Sequence, residues 1–300
     1  MIAIRDLRKR FGAITALDGI TASITRGEFA VLLGSNGAGK TTLLRCLMGL
    51  LAFEGTIEIG GCDVVRDGKG ARRLIGYVPQ RPSFPQDLNC DEVLSLFALL
   101  RGLPSGDASW LARVGLQAHA STAVRTLSGG MKQRLALAVA LQADPAVILF
   151  DEPAAHLDAQ ARRGLHRDLD ALAGAGHTVV MATHLAGEPL KVAARALVLE
   201  RGRLAYNGPP DGMGSAVQQR VVFTMNGVGR QELCAVLGGL PGVHITQTPA
   251  AVVASTRAGH AFDLLAAVAA AGVHPPGVHL EEPSIDARLL PGIAAEERDS

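Results

Sequence analysis

The sequence predicts an α/β fold with a parallel-sheet core, followed by a smaller α+β domain. Three observations carry that reading. "EFAVLLGSNGAGKTTLLRCL" (28–47) runs from an apolar strand through a glycine-rich loop into a helix. "AVILFDEP" (146–153) holds an unbroken apolar run, the pattern of a strand buried on both faces of a parallel sheet. Beyond a Gly- and Pro-rich stretch at 203–215, short strands and helices alternate afresh. A chain of 300 residues suits one domain of about 200 residues with a smaller companion. We set these domains at 1–210 and 216–300.

Residues 1–27 read as strands joined by short turns, including "ITASITRGE". Gly34, Ser35, Asn36, Gly37, Ala38 and Gly39 then lead into Lys40, Thr41 and Thr42, which satisfies G-x-x-x-x-G-K-[ST]. Mechanically this is a loop of backbone N–H groups wrapped around nucleotide phosphates, with a helix N-terminus behind them. Lys40 is placed to reach the β- and γ-phosphates, and the Thr41 hydroxyl to hold Mg²⁺. A nucleotide with Mg²⁺ is therefore the expected ligand.

"GTIEIGGCDV" (55–64) alternates apolar and polar residues and reads as a strand, a turn and a short strand. A helical insertion follows at about 82–127, where "DEVLSLFALLRGL" sets Val93, Leu94, Leu96, Phe97 and Leu100 on one side. In "TLSGGMKQRLALAVAL" (126–141), Ser128 reads as the N-cap of a helix with Met131, Leu135, Val139 and Gln142 along one line. Gly129 and Gly130 in its first turn each cost roughly 1 kcal/mol against Ala. That cost makes sense where the backbone must closely approach something. Bare amides and a Ser hydroxyl form an anion site. The loop at 34–42 already cradles phosphates, so this second site should serve a different nucleotide. Two subunits arranged head to tail satisfy both.

Asp151 and Glu152 stand at the carboxyl end of the apolar strand, the edge where open α/β sheets bind ligands. Asp151 suits the Mg²⁺ shell. Glu152 is placed to polarise an attacking water as general base.

"GSNGAGKTT", "LSGGMKQR" and "ILFDEP", in this order and spacing, resemble the nucleotide-binding subunit of ABC transporters over about residues 1–210. The resemblance implies a P-loop NTPase of ABC type, with an antiparallel β subdomain and a helical insertion. It further implies an ATPase that dimerises on ATP and drives translocation through a separate transmembrane permease subunit. Phe11 matches the aromatic that stacks on adenine, usually Tyr. Gln80 in "IGYVPQ" matches the residue that touches Mg²⁺ and water. Asp158 in "AAHLD" matches the D-loop aspartate, and His184 in "VVMATH" the switch histidine at the γ-phosphate. The helical insertion is where the family docks the coupling helices of its membrane partner. The closing "EEPSIDARLL" (281–290) is similar to the segment that ends exporter-type ATPases of the drug, copper-processing and lipid classes. Two departures stand out. Ala155-His156 replaces the usual Ser-Gly, and Ala193-Ala194-Arg195 replaces a Cys-Asp-Arg-like segment.

Beyond 216 the order strand–helix–strand–strand–helix–strand reads as a ferredoxin-like accessory domain. A net charge of +1 gives no basic field for nucleic acid. Four scattered Cys fit a reducing cytosol, and His244, His260, His274 and His279 show no metal-ligand spacing. No apolar run reaches the roughly 18 residues of a membrane span. The charged N-terminus shows no signal peptide. Peripheral attachment at the cytoplasmic face, through a partner, is the expectation. The alternative is a soluble ABC ATPase acting on nucleic acid or the ribosome. Against it stand the short spacing between Lys40 and Ser128, about 90 residues, and the single cassette.

Overall fold

The computed structural model describes residues 1–104, 106–154, 165, 169, 171–225, 229–257, 260–281 and 283–285. It divides into two compact units, Met1–Thr183 with Val192–Gly208, and His184–Lys191 with the chain from Pro209 onward.

The first unit holds two sheets. An antiparallel sheet has the order β2-β1-β4-β5, built from β1 (Ile2–Phe11), β2 (Ile14–Ile24), β4 (Glu54–Ile59) and β5 (Cys62–Asp63). Strict alternation in "IAIRDL" would point Asp6 inward after Ile2 and Ile4. Instead Asp6 takes a left-handed φ of 46°, the register with β2 shifts between Ile4 and Leu7, and Leu7 is buried. One extra residue in the strand thus keeps the carboxylate in water and the leucine in the core.

The second sheet has the order β10-β9-β3-β8-β7-β6. Its strands are β3 (Phe29–Leu33), β6 (Ile75–Val78), β7 (Val147–Asp151), β8 (Thr178–Thr183), β9 (Arg195–Glu200) and β10 (Arg203–Gly208). All neighbours are parallel except the edge pair β9–β10. Every residue of β3, β7 and β8 is buried, which is why their sequences are near-continuous apolar runs. Helix α1 (Lys40–Leu47) buries Leu43, Leu44, Cys46 and Leu47. One core gathers Ile2, Leu17 and Ile57 from the first sheet, Leu44 and Leu47 from α1, and Leu32 and Leu149 from the second.

Helices α2 (Gly68–Arg73), α3 (Cys90–Arg101), α4 (Ser109–Arg113) and α5 (Gly129–Leu141) complete this unit's described α-helices up to β7. A reciprocal cap starts α3: Asn89 Oδ1 accepts from the Glu92 N–H at 2.9 Å, and Glu92 Oε2 from the Asn89 N–H at 2.8 Å. Its buried face is Cys90, Val93, Leu94 and Ala98. Leu100 is 70% exposed and Leu96 half-buried, so the apolar stripe read from the sequence is broader than the face the core takes. Helix α5 departs from the single line as well. Leu135, Ala136, Leu137, Ala138, Ala140 and Leu141 are buried, while Met131 and Val139 are only half-buried. A helix enclosed on most sides shows no one-sided stripe.

The second unit carries β11 (Val217–Thr224), β12 (His244–Gln247), β13 (Ala251–Arg257) and β14 (Gly277–Leu280) in the antiparallel order β12-β13-β11-β14, with β15 (Ser284–Ile285) also pairing β11. This is the strand order of a split β-α-β arrangement. Segment 184–191 carries most of the short helix α6 (Glu188–Val192). Helices α7 (Arg230–Gly238) and α8 (Ala261–Ala270) bring Leu233, Leu237, Leu264 and Val268 against Val221, Phe223, Val252 and Ala254 of the sheet. Segment 184–191 groups here through backbone pairing. Leu185 forms an antiparallel bridge with Ser284, and the Ala186 N–H donates to Pro283 O at 2.7 Å.

Candidate active site

Gly34 to Gly39 join the buried strand β3 to α1. The loop admits no side chain at two points. A Cβ on Gly34 would lie 2.5 Å from Leu199 O, and one on Gly39, at φ 108°, 2.7 Å from Ala16 O. Between them Ser35, Asn36 and Gly37 are exposed while Ala38 is buried. Lys40 opens the helix and is only 6% exposed. Its ammonium donates to Gly34 O at 2.7 Å and Ser35 O at 3.2 Å, and lies 3.2 Å from Glu152 Oε1. A buried cation needs such partners, since leaving water unpaired costs several kcal/mol.

One residue on, Thr41 Oγ1 donates to Asp151 Oδ1 at 3.0 Å, with Thr42 half-buried beside it. The Tyr77 hydroxyl, from β6, reaches the other oxygen of Asp151 at 3.4 Å. Burial pushes the Asp151 carboxyl up, and donation from Thr41 and Tyr77 opposes that. Burial, then the neighbouring Asp151 charge, pushes the Tyr77 hydroxyl up to about 12. After Asp151 the chain turns sharply: Glu152 has a left-handed φ of 46°, its N–H donates to Ala182 O at 2.9 Å, and it is buried. That backbone costs about 1–2 kcal/mol in a residue with a Cβ, and here it aims the carboxylate at Lys40. A hydroxyl and a carboxylate this close are hard oxygen donors, the set that suits Mg²⁺.

The start of α5 lies in the same unit. Ser128 Oγ accepts from the Met131 N–H at 3.2 Å, capping the helix as its sequence requires. Ser128 and Gly129 are exposed and Gly130 half-buried, and a Cβ on Gly129 would meet nothing within 4 Å. Gln80 is exposed just past β6, and Gln133 of α5 donates to the adjacent Pro79 O at 3.3 Å. Gln80, Gly129, Lys132, Gln133 and Pro153 line one cavity of about 360 Å³. The start of α5 and Gln80 therefore meet beside the residue that follows Glu152. Phe11 is 46% exposed at the end of β1, with Lys9 Nζ 4.8 Å from its ring centroid. His184 follows β8, is half-buried, and opens the segment that groups with the second unit. Asp158 lies outside the described residues.

The sequence placed Lys40 and Thr41 at the phosphate loop and Asp151 and Glu152 at the carboxyl edge of the sheet, and the structure brings Lys40 against Glu152 and Thr41 against Asp151. Sequence reading missed Tyr77. Its only signal was a lone hydroxyl inside the otherwise apolar strand "IGYV".

A backbone cradle with its lysine, facing an acidic pair across the carboxyl edge of a parallel sheet, defines the class of P-loop nucleoside triphosphatases. Among known proteins, the ABC transporter family matches residues 17–155. The daunorubicin resistance ATP-binding protein DrrA3 of Streptomyces coeruleorubidus is 32% identical over 96% of this chain and 94% of its own length. The Nod factor export ATP-binding protein I of Ralstonia nicotianae is 36% identical over 70% of this chain and 67% of its own. A solved ATP-binding subunit of an ABC transporter superposes with a TM-score of 0.66 at 27% identity, covering 71% of this chain and 91% of that one. A dimeric ATP-binding cassette in a post-hydrolysis state bound to ADP and Pi gives 0.64 at 27%, covering 70% and 99%. The chain belongs to the ABC transporter ATP-binding family. It is an ATP-binding, ATP-hydrolysing subunit of a transport system, of a kind that dimerises and works with a membrane permease. These relatives favour transport over the nucleic-acid or ribosome alternative. Among the described residues, no helix is long and apolar enough to cross a membrane.

Proposed function

We propose that this chain powers an exporter: two copies close head to tail on ATP, and hydrolysis drives a solute out through a separate permease. The named export and drug-resistance relatives support the direction, DrrA3 over nearly the whole chain. The contact of Lys40 with Glu152 at 3.2 Å, beside that of Thr41 with Asp151 at 3.0 Å, carries the chemistry.

The amides of Gly34 to Gly39, with Lys40, Thr41 and Thr42, hold the phosphates, and Phe11 offers its face to adenine. Thr41, Gln80 and Asp151 would hold Mg²⁺, which would supply charge neutralisation at the phosphates. As the ammonium of Lys40 turns to the phosphates, the Glu152 carboxylate becomes available to water. One Glu152 oxygen then accepts the proton of the water attacking the γ-phosphorus. The bond to the bridging oxygen breaks, leaving ADP and inorganic phosphate. By resemblance, His184 matches the switch histidine and Asp158 the D-loop aspartate. Ser128, Gly129 and Gly130 of one copy close the other copy's site. The exposed cap at Ser128 and the open space around Gly129 support that, since nothing among the described residues explains the glycine.

The permease seats on a groove of about 770 Å³ lined by Lys69, Arg72, Arg73, Leu99, Leu100 and Arg101. Leu99 and Leu100 are 73% and 70% exposed, and among the described residues no acidic side chain lines the groove. Its complement is a cytoplasmic permease segment carrying apolar side chains and carboxylates, which holds this subunit at the cytoplasmic face. Purification of the tagged full chain from detergent-solubilised membranes tests the reading. A multi-span permease should co-purify and be lost on Leu99→Glu with Leu100→Glu. Recovery of ribosomes or nucleic acid in its place overturns it.

A further inference from the structure

Asp151 is held from two sides. Thr41 Oγ1 donates to its Oδ1 at 3.0 Å, and the Tyr77 hydroxyl to its Oδ2 at 3.4 Å. The phosphate loop and its helix explain the first bond. The phosphate loop makes no use of the second.

Tyr77 stands on β6, hydrogen-bonded in parallel to β7, which ends at Asp151; its direct partner there is Leu149. Its ring is partly buried and packs on the main core, so the hydroxyl is presented from a fixed strand. The terminal torsion of an aspartate is broad and roughly two-fold. A single donor at Oδ1 leaves rotation about that bond loosely determined. A second donor at Oδ2, on a different rigid element, fixes the carboxylate plane. A phenol is a donor throughout the neutral range.

We propose that Tyr77 is a positioning residue for Asp151, fixing its carboxylate so that the Thr41-facing oxygen is ready for Mg²⁺. The role rests on the reading that Thr41 and Asp151 form the metal side of the nucleotide site. Removing hydrogen-bond partners of metal ligands commonly costs about 10–100-fold in metal affinity. A 3.4 Å contact sits at the weak end of hydrogen-bond geometry. About tenfold is the effect to expect.

Tyr77→Phe keeps the ring and deletes only the hydroxyl. Equilibrium binding of a fluorescent ATP analogue to the full chain reads the outcome, first in EDTA and then across a Mg²⁺ titration. In EDTA the affinity should match the parent, because the phosphate cradle and Phe11 are untouched. The Mg²⁺ concentration for half-maximal enhancement should rise about tenfold. A merely structural role for Tyr77 would shift both measurements together, and that result overturns the proposal. Asp151→Asn serves as the companion variant. If it raises the Mg²⁺ requirement while Tyr77→Phe leaves it unchanged, the Tyr77 role fails alone. If both variants leave it unchanged, the metal-side reading fails and the Tyr77 role with it.

Discussion

Lys40 Nζ lies 3.2 Å from Glu152 Oε1, with the two side chains 6% and 9% exposed. The same ammonium donates to the carbonyls of Gly34 and Ser35. One buried cation thus joins the phosphate loop to the residue read as general base. Incoming phosphates and the Glu152 carboxylate compete for it, and whichever loses must find another partner or water. Binding and the freeing of the base are therefore coupled through a single side chain.

Glu152→Gln keeps the shape of the side chain and removes its basicity. Hydrolysis should fall by about 10²–10⁴-fold, the scale of general base catalysis. Affinity for ATP should be retained or rise, because Lys40 loses its competing charge. Gel filtration with ATP should show a long-lived dimer. A variant that keeps turning over would falsify the role.

Lys40→Ala should abolish nucleotide binding instead. It removes the charged donor of the cradle and leaves the Glu152 carboxylate buried without its cation, both unfavourable for an anionic ligand. Titration with a fluorescent ATP analogue decides. Unchanged affinity would mean that phosphates bind elsewhere.

Ser128→Arg should block hydrolysis while leaving ATP binding to the single chain intact, since Ser128 is exposed and caps only its own helix. Mixing it with Lys40→Ala creates one composite site with a normal loop and a normal helix start. Partial ATPase activity should return from two inactive proteins. Normal turnover by Ser128→Arg alone shows that this helix start faces no nucleotide.

Glu28 supplies a pH-dependent contribution to stability. Its Oε1 accepts from Arg195 Nε at 2.6 Å, and its Oε2 from the Thr25 N–H at 2.7 Å and hydroxyl at 2.8 Å. Burial pushes the carboxyl up, but Thr25 and Arg195 together win and hold it below the ordinary 4.5. A lowered native pKa gives stability that is fully present above the unfolded value and is lost as pH falls through the native one. Glu28→Gln should cost about 1 kcal/mol at neutral pH. The difference from the parent should shrink as pH drops below 4.5. Thermal unfolding of both chains at neutral and acid pH measures it, and a gap that widens in acid refutes the assignment.

The phosphate loop, the helix cap at Ser128, the acidic pair and the buried strands are legible in the amino-acid sequence. Each is set by a local requirement. Gly34 and Gly39 stand where a Cβ would strike backbone, Ser128 satisfies the free amide of Met131, and apolar runs mark strands covered on both faces. Other features arise from packing between distant segments. Asp6 reads as an inward position until the bulge in β1 turns Leu7 inward in its place. Leu100 looks like core on its helix and stands exposed, because the neighbours that would cover it are fixed by other segments. The Tyr77–Asp151 contact requires β6 to lie beside β7, although Tyr77 and Asp151 are 74 positions apart in the chain. The pairing of Leu185 with Ser284 joins the stretch after His184 to the end of the second unit. Such contacts depend on strand order and register. Those follow from how all buried surfaces fit together, which no local pattern encodes.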